Sequence, residues 1–370
     1  MQDAGDGGES DGYDHQGQAA FGQEGAGAGG KRIMSKSLKD IVPAGHIYMR
    51  DNVLQKESLT GVNESRAAWA KDLALPQRGE YTFFAGCGYQ HMKYAEGMME
   101  ALKSAGRMGL GIDRLMGIGK VFSKVGVDVA SLAARMKAAK EDPYTEALVK
   151  SVSILRKLGV DFGYLQEEEP CCGSPLYYAG FETEYADHAR KSFEKFKSLG
   201  VSKMIGLVPA CTAALKNVYP KYIEGYDLEV SHFYEIVARR LKETGKKPRL
   251  KEKVVAVYHE PCQLTRYLNV IAEPRQILES IEGLELKKLD GEQCGQLSTC
   301  CGGGGLEVSF PELSERVGKK RMQELLQTGA PLVVSSCPAC VMQLTQSAKK
   351  LKVDIQVKDL ADILDSALEN

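Results

Sequence analysis

Leu332-Val333-Val334-Ser335-Ser336-Cys337-Pro338-Ala339-Cys340 is a short apolar run that breaks into Cys-Pro-x-Cys. Met204-Ile205-Gly206-Leu207-Val208-Pro209-Ala210-Cys211 repeats its outline earlier in the chain. Each stretch follows a Cys-Cys-Gly triplet, Cys300-Cys301-Gly302 in one case and Cys171-Cys172-Gly173 in the other. The step from Cys172 to Cys211 is 39 positions, and so is the step from Cys301 to Cys340. A lone cysteine precedes each pair, Cys87 in the first half and Cys262 in the second. Matched spacing of this kind marks an internal duplication.

The flanks follow the same plan. Tyr81-Thr82-Phe83-Phe84-Ala85 leads into Cys87, and Val254-Val255-Ala256-Val257-Tyr258 leads into Cys262. Both read as short buried strands. Helical periodicity covers Tyr185 to Leu199 in one half and Leu313 to Leu326 in the other. Each half ends on a similar segment, Val230 to Leu241 and Val357 to Leu368. Alternating strands and helices predict an α/β fold, with a small parallel sheet flanked by helices in each half. Gly245-Lys246-Lys247-Pro248-Arg249 reads as the linker. The expected organisation is a tail over 1–40, a first domain over 41–246 and a second over 247–370. The first half has 83 residues between its lone cysteine and its pair, and the second has 37. The surplus predicts a helical insertion at about 92–140, rich in methionine, that either extends the core or forms a lid or docking face. In parallel sheets, sites form at the carboxyl ends of strands. Cysteines that follow strands and open helices can therefore converge.

Composition narrows the chemistry. The 370 residues include 48 Lys plus Arg, 49 Asp plus Glu and ten cysteines. The near-zero net charge argues against a broad basic face for nucleic acid. No apolar run is long enough to span a bilayer. Residues 1–30 hold ten glycines, six acidic residues and no Lys or Arg, a composition that cannot build a core. With no export signal, a cytoplasmic location is expected, where disulfides are rare. Ten cysteines there point to metal or redox chemistry.

The second half offers five thiolates. A closed zinc site takes four ligands, which leaves one over, whereas all-thiolate sites also suit iron–sulfur clusters. The side chains of adjacent Cys300 and Cys301 are expected to diverge and reach different irons. The pattern Cys, Cys-Cys-Gly, Cys-Pro-x-Cys resembles the CCG cysteine-rich domain family, which includes the B-type and D-type components of heterodisulfide reductase. The resemblance covers about residues 80 to 368. It implies that Cys262, Cys300, Cys301, Cys337 and Cys340 hold a non-cubane [4Fe–4S] cluster. It also implies a catalytic iron–sulfur subunit, an oxidoreductase that reduces or forms a small or protein-borne disulfide. The alternative is an electron-transfer subunit of a hydroxy-acid or glycerol-3-phosphate dehydrogenase complex. No ferredoxin-type run of cysteines occurs in the sequence. Partner subunits carrying such clusters or a flavin are therefore expected, with any membrane association through a partner.

The first half departs from the pattern, since Val208 replaces the first cysteine of Cys-Pro-x-Cys. Cys87, Cys171, Cys172 and Cys211 remain as metal ligands for a second iron–sulfur cluster or zinc, or the site is an empty, degenerate copy. Cys294 has no counterpart and reads as a spare thiol. His259, three positions before Cys262, is a candidate for tuning a cluster or moving a proton. Glu167-Glu168-Glu169 reads as a solvated charge run. Gly302 to Gly305 reads as backbone fitted against a cluster. Gly109-Leu110-Gly111 lacks the rest of a nucleotide-binding fingerprint.

Overall fold

The computed structural model describes residues 42–62, 64–107, 142–289 and 294–369, together with Met136. The acidic tail over 1–40 and the insertion beyond Arg107, with Gly109-Leu110-Gly111, lie outside the described residues. The insertion opens as a helix, Met92–Arg107, with Met92, Met98 and Met99 buried.

The duplication is visible in the sheets. The first contains β1 (Tyr81–Phe84), β2 (Phe162–Tyr164), β3 (Lys203–Gly206) and β4 (Glu229–His232), in the order β2-β1-β3-β4. The second contains β5 (Arg249–His259), β6 (Glu282–Lys287), β7 (Leu332–Ser335) and β8 (Gln356–Asp359), in the order β6-β5-β7-β8. Every pairing is parallel. The central strands are the apolar ones: Phe83, Phe84, Met204 and Ile205 are buried in one sheet, and Ala256, Val257, Tyr258 and all of β7 in the other. Strands covered on both faces need continuous apolar runs, and these residues supply them.

The topology also creates the site. From β1 the chain crosses to one side of the sheet, and from β3 it crosses to the other. The carboxyl ends of β1 and β3 therefore border a switch point, where loops diverge and leave a crevice. Pairing of Phe84 with Gly206 brings those ends level, and pairing of His259 with Ser335 does the same for β5 and β7. The lone cysteine follows one strand of each pair, and Pro-Ala-Cys follows the other.

Each half closes with a strand that feeds a capped helix. His232 and Glu235 form a capping box at Phe233–Thr244, and Asp359 and Asp362 form one at Leu360–Ala367. The helix Pro143–Lys157 of the first half packs on Leu360–Ala367 of the second. Lys150 pairs with Asp362 at 2.7 Å and Lys157 with Asp365 at 2.8 Å across this junction. One continuous apolar core, which includes Phe83, Val334 and Met342, runs through both halves.

A helix at Ala44–Lys56 ties the halves together a second time. It packs on Ser174–Tyr178, just after the first cysteine pair, and on Leu306–Ser309, just after the second. Gly45 makes the approach to the second half close: a Cβ there would stand 2.7 Å from Val308 Cγ1. Met49 lies over Gly305.

Asp359 is the buried carboxyl at the junction. It accepts hydrogen bonds from Tyr89 Oη at 2.5 Å, Tyr234 Oη at 3.2 Å and the Ala361 N–H at 2.9 Å. Burial nonetheless pushes its carboxyl up to about 7, helped by the neighbouring Asp362 charge. A carboxyl raised on folding contributes stability that is present below its unfolded value and is lost as pH rises through the folded one. Urea unfolding of the wild type should therefore weaken between about pH 4 and 7, relative to Asp359→Asn, by on the order of a few kcal/mol. Parallel stability curves for the two proteins across that range would contradict the assignment.

Candidate metal centres

In the first half, Cys87 opens a short helix, Cys87–Gln90, directly after β1 and Gly86. Cys171 and Cys172 lie in the loop after β2, and Cys211 lies in the first turn of Pro209–Ala213. The four sulfurs form a chain of contacts, Cys87 to Cys171, Cys171 to Cys172, and Cys172 to Cys211. The sequence spread them over 124 positions, from 87 to 211, and the switch point gathers them. Val208 is the residue that caps the Pro209 helix, as Cys337 caps the Pro338 helix. Its methyls lie against Gly86 and Gly88, and a Cβ at Gly86 would meet Val208 Cγ2 at 3.0 Å and Cys211 Sγ at 3.2 Å. The valine thus fills the fifth position of the thiol set with hydrocarbon.

The second half repeats the arrangement with all five thiols. Contacts run from Cys262 to Cys300, to Cys301, to Cys340 and to Cys337. Cys301, Cys337 and Cys340 are buried, whereas Cys262 and Cys300 are half-buried. The expected divergence of Cys300 and Cys301 does not occur, because the turn into Gly302 (φ 84°) folds both sulfurs toward the same crevice. The N–H groups of Gly302 and Gly303 donate to the sulfurs of Cys300 and Cys301 at 3.4 and 3.3 Å. A Cβ at Gly302 would stand 2.5 Å from the Ser314 carbonyl oxygen, so only glycine fits this turn. Cys294 sits apart in the chain, at the head of the turn Gly295–Leu297 and beside Arg275.

These sulfurs cannot all be anions together unless a cation joins them. Hydrogen bonds from Cys262 and Cys301 pull Cys300 down to about 2, while Cys262 and Cys301 are pushed up. In the first half Cys87 and Cys172 are lowered by their thiol neighbours, and Cys171 and Cys211 are raised. Each lowered thiol is held by a raised one, which is how a crowded set shares too few charges. A multivalent metal group would ionise them all. The donor set, with sulfur-directed N–H groups around it, therefore fits an iron–sulfur cluster in the second half.

Two buried carboxyls brace the loops, in opposite senses. Glu169 is buried, not solvated as its position in an acidic run suggested. The end of β1 leaves the N–H groups of Ala85 and Gly86 without strand partners, and Glu169 accepts both, at 2.8 and 3.0 Å, and Gln90 Nε2 at 2.9 Å. Glu167 and Glu168 remain exposed. In the second half the carboxylate comes from the strand end instead. Glu260 takes Arg275 at 2.8 Å and the Gly295 N–H at 2.8 Å, and so anchors the loop before Cys300. Nothing in the sequence pattern distinguishes Glu169 from its neighbours. Glu260 adjoined a cysteine motif but had no visible partner.

His259 is fully buried at the end of β5, with a ring nitrogen and the sulfurs of Cys301 and Cys340 within 4.8 Å of one another. Burial pushes its pKa down to about 3. Leu59, from a segment whose sequence carries no motif, donates its backbone N–H to the Cys87 sulfur.

Comparison with known proteins agrees with this plan. The cysteine-rich domain (CCG) profile matches residues 134–216 and again 256–345. The chain is 33% identical over 220 residues to the D component of the dihydromethanophenazine:CoB–CoM heterodisulfide reductase of Methanosarcina mazei, covering 58% of this chain and 53% of that protein. It is 31% identical over 239 residues to an EtfAB:quinone oxidoreductase of Syntrophomonas wolfei, covering 62% and 33%. It is 32% identical over 219 residues to the B component of the fumarate reductase (CoM/CoB) of Methanothermobacter marburgensis, covering 58% and 42%. The chain spans about half or less of the length of these relatives. With thiols gathered at the switch point of each sheet, the chain carries two regions that match the CCG cysteine-rich domain, and it is similar over 220 residues to the D component of heterodisulfide reductase.

Proposed function

We propose that Cys262, Cys300, Cys301, Cys337 and Cys340 hold a non-cubane [4Fe–4S] cluster, and that the chain is the catalytic iron–sulfur subunit of a disulfide-reducing, or disulfide-forming, complex. The observation that carries this reading is the convergence of five thiols, two of them only half-buried. Such a cluster supplies single electrons and an iron that sulfur can bind.

The protein supplies the access. Half-buried Cys262 and Cys300 form the rim, and the buried three anchor the set from below. The rim lies where the halves meet. Tyr178 of the first half donates from Oη to Gln263 Oε1 at 2.8 Å, next to Cys262, and its ring packs edge-on against Tyr267 at 5.7 Å. Both rings are exposed and form an apolar approach for a small disulfide or an extended protein segment. The first half holds zinc or a second cluster through Cys87, Cys171, Cys172 and Cys211. We divide the chain at 246/247, with both domains needed for the rim. Among the described residues no helix is long and apolar enough to cross a membrane. We place the protein in the cytoplasm, served by partner subunits that carry ferredoxin-type clusters or flavin. The relatives named as components of reductases support such an assembly.

A second reading, electron transfer without disulfide chemistry, is favoured by the likeness to an EtfAB:quinone oxidoreductase. Anaerobic purification with metal analysis and EPR separates the two. Disulfide chemistry predicts about four irons in the second half and an EPR signal on oxidation that depends on added thiol. Iron without any thiol response would favour electron transfer, and zinc without iron would defeat both readings. Cys337→Ala should lose the second-half iron, and Cys294→Ala should keep it. Val208→Cys restores the fifth thiol of the first half, and should raise total iron above the wild-type value if that site accepts a cluster. Unchanged iron with added zinc would assign the first site to zinc.

A further inference from the structure

Resting on the reading that the second half holds an iron–sulfur cluster, we propose that His259 is a fixed N–H donor to a sulfur of that centre, held in this role by Arg321. Arg321 Nε donates to His259 Nδ1 at 3.0 Å. A guanidinium has donors only, so Nδ1 must present its lone pair. In a neutral imidazole the proton then sits on Nε2. Nε2 is buried and has no hydrogen-bond partner among the described residues. The ring lies beside the sulfurs of Cys301 and Cys340. A buried N–H needs an acceptor, and an anionic sulfur of the centre provides one.

The same contact rules out His259 as a metal ligand. A ligating imidazole binds metal through one nitrogen and donates from the other to an acceptor. Here the group at the other nitrogen is itself a donor. Arg321 is fully buried and cannot turn away freely, because Nη1 is tied to Glu324 Oε2 at 2.9 Å. Glu324 Oε1 in turn accepts from Thr299 Oγ1 at 3.0 Å, next to Cys300. The imidazole and the cysteine-pair loop are thus held by one network.

The first half lacks this device. Phe84 stands three positions before Cys87, as His259 stands before Cys262. Ser192 stands 20 positions after Cys172, as Arg321 stands after Cys301. Ser192 Oγ donates to the Cys171 carbonyl at 3.1 Å, not to a ring. The donor therefore distinguishes the two centres. A hydrogen bond to a cluster sulfur draws charge off it and favours the reduced form.

The test uses the full chain, purified anaerobically, as wild type, His259→Phe and His259→Gln. Phenylalanine is the residue that the first half already carries, and glutamine keeps an amide N–H. All three should retain iron. An EPR-monitored redox titration should move the second-half centre of His259→Phe to lower potential by about tenfold in the reduction equilibrium, or ~59 mV for one electron. His259→Gln should fall between the two. Beside the exchangeable couplings of the Gly302 and Gly303 N–H groups, which every variant keeps, pulsed EPR in H2O and D2O should show one further exchangeable proton in wild type that His259→Phe loses. Equal potentials and couplings in wild type and His259→Phe, with iron intact, would overturn the proposal. Iron loss in both variants would make His259 a ligand, and overturn it too. If His259→Phe does not fold, wild type grown with 15N-histidine decides: pulsed EPR that finds no 15N-histidine coupling to the centre overturns the proposal. Zinc in place of iron in the wild type removes the underlying reading, and the inference with it.

Discussion

Everything in this fold bends around the mutual repulsion of thiolates brought into contact. Five sulfurs in one crevice cannot all ionise without a cation, and in the absence of one they share protons in alternation, one thiol lowered and its neighbour raised. The backbone is arranged for the ionised state. N–H groups of Gly302 and Gly303 already point at sulfur, and helix N-termini at Pro209 and Pro338 add their partial positive charge beside Cys211 and Cys340. A parallel sheet provides the one place where this is topologically cheap, because loops from β1 and β3, or β5 and β7, part company there.

The two copies solve the same problem with different parts. In the first, Glu169 reaches from the cysteine-pair loop to hold the end of β1. In the second, Glu260 reaches from the end of β5 to hold the cysteine-pair loop. The direction of the brace reverses, while in both copies it joins the end of the leading strand to the loop before the cysteine pair. Val208 against Cys337 and Phe84 against His259 follow the same logic: the first site has hydrocarbon where the second has a thiol and an imidazole. Duplication fixed the geometry, and substitution at a few positions next to the sulfurs made the sites chemically unequal.

That duplication was legible because cysteines are rare and their spacing survives where other residues drift. The central strands were legible for a related reason, since burial on both faces requires unbroken apolar runs such as Val254 to Tyr258. The outer strands were not. β2 is only Phe162-Gly163-Tyr164, too short to carry a period, and β6 (Glu282–Lys287) is half-exposed and charged. The helix Ala44–Lys56 was missed because it is gripped from two sides. Its buried residues Ile47, Met49 and Val53 do not fall on the single stripe that a surface helix shows. Glu169 was misread because a local run of acids says nothing about which one faces an unsatisfied strand end. Tertiary placement decided that, and only Glu169 reaches the N–H groups of Ala85 and Gly86.

The halves are also joined at the sites themselves. A Cβ at Gly88 would stand 3.1 Å from Val208 Cγ2 and 3.5 Å from Pro338 Cγ, so the backbone after Cys87 passes directly between the first Pro-Ala-Cys turn and the second. One residue further on, Tyr89 bonds to Asp359 at the end of β8. Tyr234, from the helix that follows β4, bonds to the same carboxyl. A shift of the first site's leading cysteine must therefore move Tyr89 against a buried acid of the second half. The acid is buried, and moving it would forfeit two hydroxyl donors, where an unmet polar group is costly. Close packing at Gly88 and the paired tyrosines at Asp359 thus join the surroundings of the two sulfur sites through one set of packed contacts.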